Sequence, residues 1–130
     1  MVWFKRDLRV TEHLPFTEAA LGGPVLPVYI VEPIYWHLPD TSARQWAFTA
    51  ECLRDLQDTL RELGLPLIIR TGDVVSILAD VHARFGVKAL FSHEETGNTW
   101  TFERDKRVAR WLKKITSDGP STLNLAWFEG

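Results

Sequence analysis

The sequence predicts a three-layer α/β/α sandwich, Rossmann-like, built on a five-stranded parallel sheet of order 3-2-1-4-5. Strand-sized apolar runs at Val2–Lys5, Val25–Val31, Leu67–Arg70, Ala89–Ser92 and Leu123–Phe128 alternate with four helix-sized segments, the pattern of parallel strands joined by crossover helices. The connections from helices back to strands are short and rich in Gly and Pro. Those leaving the second and fourth strands are long and chemically varied, as expected where a parallel sheet carries its binding loops. The whole of 1–130 reads as one domain.

Taken in order, the first strand is a short apolar run that breaks straight into Lys5-Arg6-Asp7-Leu8-Arg9. The first helix, around Leu14 to Leu21, has Pro15 in its first turn, where a missing N–H costs nothing, and Gly22-Gly23 stops it. After the second strand, Glu32 to Asp40 reads as a long loop. Thr41 or Ser42 caps the second helix, whose Trp46, Ala50, Leu53, Leu56, Leu60 and Leu63 form one core-facing stripe up to Gly64 and Pro66. Gly72-Asp73 opens the third helix, with Val74, Ile77, Leu78, Val81 and Phe85 inward and Gly86 at its end. The fourth follows Asn98 or Thr99, turns Val108, Leu112 and Ile115 inward, carries Lys106, Arg107, Arg110, Lys113 and Lys114 opposite, and closes at Gly119-Pro120.

Composition narrows the function. With a net charge of −2, the chain is not built to coat nucleic acid wholesale. The single cysteine, Cys52, allows no internal disulfide and no metal-ligand spacing, so it is expected to be a buried thiol in a reducing, cytoplasmic setting. The apolar runs are too short for a signal-peptide core or a membrane span. Neither G-x-G-x-x-G nor G-x-x-x-x-G-K-S/T is present, so a dinucleotide has no backbone cradle in its usual place. Six Trp in 130 residues is a heavy load, and some are expected to face a partner surface.

In order 3-2-1-4-5 the strand direction of travel reverses between the first and fourth strands, and ligands bind outside the carboxyl ends at such a point. The Lys5–Arg9 cluster and the His93–Asn98 loop are therefore expected to face each other there, with Tyr35, Trp36 and His37 alongside. Arg6 and its neighbours offer forked donors to an anion, oriented by Asp7; the competing reading is a structural knot in which Asp7 pairs with a local Arg. Glu94-Glu95 resembles an acid–base pair, but adjacent residues at a strand exit usually point apart, and a solvated loop is favoured. His37 and His93 could approach each other, without any metal spacing. Tyr35-Trp36 would either stack on a planar ligand or plug the second helix. The basic face of the fourth helix is favoured as a solvated surface. No Ser-His-Asp or Cys-His set is legible, so nucleophilic catalysis has no support.

Several strings then carry a family resemblance. Trp3-Phe4-Lys5-Arg6-Asp7-Leu8-Arg9, Val28-Tyr29-Ile30 with Pro33, Ser42-Ala43-Arg44, the leucine-spaced second helix, Arg70-Thr71-Gly72-Asp73, Arg104-Asp105-x-x-Val108 and Trp127-Phe128-Glu129 resemble, in order, the amino-terminal α/β domain of DNA photolyases and cryptochromes. The resemblance implies a light-driven, FAD-dependent protein in two parts. A helical carboxyl-terminal domain, not within this chain, binds FAD and damaged DNA and repairs pyrimidine dimers; the amino-terminal domain carries an antenna chromophore of folate or deazaflavin type. The chain is then expected to be a light-harvesting domain, inactive alone, whose partner is that carboxyl-terminal domain.

On that resemblance Asp7 and Arg44 match positions lining the antenna crevice, and Arg6, Trp36, Glu94, Glu95, Asn98 and Trp100 are further candidates for cofactor binding. Pro39 and Trp100-Thr101 stand where folate-binding members have a His and an Asn-Glu pair, and Thr96 and Asn98 stand where deazaflavin-binding members have two acids. The antenna type therefore stays open. The alternative is a structural or interaction module of a photoreceptor with no bound pigment, Trp100 filling the crevice itself.

Overall fold

In a computed structural model of the chain, residues 1–5, 7–10, 13–21, 25–37, 43–86, 89–93, 99–118 and 124–128 are described. The elements run β1 (Val2–Phe4), α1 (Leu14–Leu21), β2 (Pro27–Val31), α2 (Pro33–Trp36), α3 (Ala43–Glu62), β3 (Ile68–Thr71), α4 (Val74–Phe85), β4 (Ala89–His93), α5 (Thr99–Asp118) and β5 (Asn124–Phe128). The five strands form one parallel sheet of order β3-β2-β1-β4-β5, as the alternation of elements predicts. Val2 is in register with Pro27 on one side and Phe91 on the other, which makes β1 the central strand.

Alternation along the strands separates two cores. Trp3, Val28, Ile30 and Leu90 meet Val74, Leu78 and Val81 of α4 and Val108 and Leu112 of α5. Val2, Phe4 and Tyr29, pointing the other way, meet Ala19 of α1 and Leu53, Leu56 and Leu60 of α3. With helices on both faces, β1 is apolar throughout and fully buried, which is why it reads as a continuous run rather than as an alternating one.

Three sequence expectations change. The stripe on α3 is narrower: Leu53, Leu56 and Leu60 are buried, but Leu63 is 57% exposed and Trp46 37% exposed. Trp46 stands in the first turn of the helix and Leu63 one residue beyond its last position, Glu62. Phe85, at the last position of α4, is exposed as well. The long loop after β2 begins instead with one helical turn, α2, because Pro33 at its start presets the backbone angle and its missing N–H is needed by no helical bond there. The expected caps Thr41, Ser42 and Asn98, the stops at Gly22-Gly23 and Gly119-Pro120, and Leu123 lie outside the described residues. At α4, Asp73 Oδ2 accepts the Ser76 N–H at 3.1 Å and Gly86 closes the helix at φ 62°. No helix among the described residues is long and apolar enough to cross a membrane.

Candidate functional site

At the carboxyl ends of β1 and β2 lies a cavity of about 510 Å³, within the range of small-molecule sites. Trp3, Phe4 and Lys5 from β1 and its exit, and Tyr29, Ile30 and Glu32 from β2, form its floor; Tyr35 and Trp36 of α2 form one wall. The first turns of α3 supply the other wall through Arg44, Gln45, Phe48, Thr49 and Cys52, and Leu8 and Arg104 complete it. Cys52, expected to be buried, is half-buried in this wall. Arg44 is exposed and has no ion-pair partner among the described residues.

Four charges are buried together at the floor. Arg104 donates from Nη1 to Glu32 Oε1 at 2.7 Å and holds Asp105 Oδ1 at 3.1–3.2 Å, while Lys5 Nζ reaches Asp105 Oδ2 at 3.2 Å and also donates to the His93 carbonyl. Their exposures of 4–8% would be untenable for lone charges; two cations against two carboxylates, with hydrogen bonds on each, make the burial tolerable. Both cations also lie over aromatic faces: Lys5 Nζ is 4.2 Å and Arg104 Cζ 5.0 Å from the Trp3 ring centroid, and Arg104 Cζ is 5.6 Å from that of Trp100.

At the reversal point between β1 and β4 stands Asp7. Its Oδ2 lies 2.5 Å from His13 Nε2 and 2.5 Å from His93 Nδ1, and its Oδ1 accepts the Lys5 N–H at 2.8 Å. Burial by itself would raise the Asp7 pKa; the bonds from His13, His93 and the Lys5 amide outweigh it and hold the carboxyl well below the usual range. The Phe16 N–H donates to His13 Nδ1 at 3.0 Å, which assigns the hydrogen to His13 Nε2, directed at Asp7. The three side chains bring their potential ligand atoms within 4.8 Å of one another. A metal would nonetheless need a lone pair on Nε2, and there the network places a hydrogen, so the donor set does not fit one.

A second feature is a run of ring contacts along the cavity wall. Trp46 meets Trp36 at 5.0 Å, Trp36 meets Tyr35 at 5.1 Å, and Tyr35 meets Trp100 at 5.4 Å between centroids, spacings typical of edge-to-face and tilted aromatic pairs.

The structure thus brings Arg44 and Trp36 to the cavity, with Trp100 stacked behind Tyr35. Asp7 does not line the cavity; it ties the loop after β1 to α1 and β4 through two histidines rather than through a local Arg. Arg6, Glu94, Glu95 and Asn98 lie outside the described residues. His37 is exposed, its Nδ1 2.6 Å from the Pro33 carbonyl, and it approaches Trp36's turn rather than His93. Sequence reasoning gave no site role to His13, Glu32 or the Arg104–Asp105 pair. The first had a faint signal, a polar residue immediately before a helix start; Arg104-Asp105 was legible only as a string of the family resemblance, because its partners Glu32 and Lys5 are distant in sequence.

The family model for DNA photolyase matches residues 1–124. A chloroplastic/mitochondrial cryptochrome DASH of Arabidopsis thaliana is 34% identical over 98% of this chain and 23% of its own length. A deoxyribodipyrimidine photo-lyase of Salmonella typhimurium is 40% identical over 92% of this chain and 26% of its own length. Among solved structures, a Synechocystis cryptochrome superposes with a TM-score of 0.85 at 19% identity, over 99% of this chain and 26% of that one. A class III photolyase from Agrobacterium tumefaciens superposes with 0.76 at 27% identity, over 97% and 25%. The chain therefore spans about a quarter of the length of the proteins it matches.

Proposed function

The chain belongs to the DNA photolyase family, and from that premise we propose that it is the amino-terminal, pigment-holding α/β domain of a deoxyribodipyrimidine photolyase or cryptochrome. FAD and damaged DNA would be bound by a helical carboxyl-terminal domain outside these residues, and Cys52 as a lone thiol supports a cytoplasmic setting. The observation that carries the reading is the aromatic-walled cavity of about 510 Å³ at the strand ends, with Arg44 on its wall.

The residues present fit a planar conjugated pigment of folate, deazaflavin or flavin class. When bound, such a group would absorb light and pass the excitation to the flavin. Trp36 and Tyr35 offer ring faces to it, Phe48 and Leu8 exclude water, and Arg44 can hold an anionic tail through two parallel hydrogen bonds. The paired charges of Lys5, Glu32 and Arg104 supply a rigid polar floor against which the edge of a heterocycle can be oriented. Asp7 acts at one remove, by fixing the exit of β1 from which Lys5 and Leu8 project.

The test is reconstitution of the chain with a reduced folate, a deazaflavin and FMN, reading the absorption of bound pigment. One of them should bind with a red-shifted spectrum, more weakly in Arg44→Ala and Trp36→Ala. Unchanged binding in both variants would remove the cavity from the site. No binding by any pigment would favour the second reading, a structural or interaction module without an antenna, which is supported by the contact that already covers one side of Tyr35 with Trp100.

A further inference from the structure

We propose that the exposed face of α5 is a docking surface for the phosphate backbone of duplex DNA, engaged without regard to sequence or damage. It belongs to the layer of α4 and α5, on the side of the sheet opposite α1 and α3, and it does not depend on whether the cavity holds a pigment. Lys106, Arg107, Arg110, Lys113 and Lys114 are all exposed, and among the described side chains Glu103 is the one exposed acid on α5. From Lys106 to Lys114 the row is about 12 Å long, in a chain whose net charge is −2.

Helix stability does not account for this row. Arg110 stands three or four residues from each of the other four cations, the spacing at which like charges meet and destabilise a helix. The helix dipole does not account for it either. Its pull on cations is confined to the last turn, and the last turn of α5 carries no basic residue. The other long helices are built differently: α3 mixes the signs, with Arg61 Nη1 3.4 Å from Asp58, and on α4 Arg84 Nε is 3.0 Å from Asp80. The row on α5 is therefore a local conflict of like charges, the kind of inconsistency that binding surfaces retain.

The fold selects the partner. The apolar face of α5 is already spent in the core, where Val108 and Leu112 are buried, so it has nothing to insert into a lipid layer or an apolar groove. Recognition is left to charge, which carries no sequence information. The cations sit on one convex rod, and α4 beside it carries Asp73 and the Asp80–Arg84 pair rather than a second row. A flat bilayer would need coplanar cations from both helices, whereas a ridge matches the groove of a duplex, which admits an α-helix between its phosphate rows. Lys106 lies 3.4 Å from Glu103 and Arg107 3.0 Å from Asp73, but both pairs are about half exposed and weak, so a phosphate can displace the acid. Arg110, at the centre of the row, has no ion-pair partner among the described residues.

The test is fluorescence anisotropy of a short, labelled, undamaged DNA duplex titrated with the chain over a range of salt. Kd should be on the order of 10⁻⁵ M near physiological salt, and log Kd should rise with log salt at a slope of about 4, about 0.9 for each phosphate neutralised. With Arg110→Glu and Lys113→Glu together, affinity should fall roughly tenfold or more and the slope by about 2. Tm should stay level or rise in that variant, because repelling pairs along the helix become attracting ones. Arg54→Glu with Arg61→Glu, on α3, changes the net charge equally and should leave binding within about twofold, since distant surface charges are screened. Equal losses in the two variants would reduce the effect to net charge, and a lower Tm in the α5 variant would make the row structural; either overturns the proposal. So would binding that does not depend on salt, or tighter binding to phosphatidylserine vesicles or poly-glutamate than to the duplex.

Discussion

Asp7 and His93, 86 positions apart, meet at the centre of the sheet's carboxyl edge, with Asp7 Oδ2 2.5 Å from His93 Nδ1. The same oxygen takes the hydrogen of His13 Nε2 at 2.5 Å. A single carboxylate thereby joins the exit of β1, the entry to α1 and the end of β4. Replacing it with Ala leaves two largely buried N–H groups without an acceptor, and Asp7→Ala should cost about 3 kcal/mol in urea unfolding. A cost near zero would show that the cluster is not holding these elements together.

The same bonds set an acid dependence. The Asp7 pKa is lower in the folded chain than in the unfolded one, where it is about 3.9. The stabilisation is therefore complete above that value and is lost as pH falls through and below it. Asp7→Asn should be less stable than the wild type at pH 7, with the gap narrowing below about pH 4. A constant gap across that range, followed by circular dichroism, would contradict the assignment.

Arg104 faces two buried carboxylates, Glu32 and Asp105. Arg104→Met removes the 2.7 Å partner of Glu32 and one of the two cations on Asp105, the other being Lys5, and should cost about 3 kcal/mol, because a buried charge is left less compensated. Adding Glu32→Gln should recover part of the loss. If the double variant is less stable than the single one, the pairing described here is not the relevant term.

The narrower stripe makes a contrast between α3 and the turn that follows it. Leu56, 2% exposed, should cost about 3 kcal/mol as Leu56→Ala. Leu63, 57% exposed, should change stability by no more than about 0.5 kcal/mol as Leu63→Ala. Similar losses at both positions would restore the wider stripe that the spacing alone suggests.

At the end of α4, Gly86 adopts φ 62° with nothing within 4 Å of a built Cβ. Gly86→Ala should therefore lose about 1 kcal/mol from backbone strain alone, without a steric term. At the other end Asp73→Ala should lose about 1 kcal/mol with its cap, and thermal unfolding of the two variants measures both.

The sheet was legible because its evidence is local and repeated. Each strand–helix alternation is readable within about a dozen residues, and the right-handed crossover rule then leaves few strand orders. The helices were legible where caps and apolar spacing agree, as at Asp73 to Gly86. They were misread at their ends, because 3.6-residue spacing says which face a residue occupies and not whether anything lies opposite. Trp46 falls on the stripe, yet it is 37% exposed and meets Trp36 rather than the sheet core. The turn at α2 was read as loop because four residues are too few to show a period, although Pro33 marked its start.

By itself, the sequence determined the architecture and the rim on which a site would form, since hydrophobic period and turn chemistry are properties of neighbours along the chain. Only the tertiary structure decided what stands on that rim: Asp7 joins His13 and His93 at the reversal point, and a cavity lies between β1, β2 and α3. The choice rests on contacts between residues as far apart as Lys5 and Asp105. Such contacts exist only when distant segments are folded together, so nothing in the local spacing could have specified them.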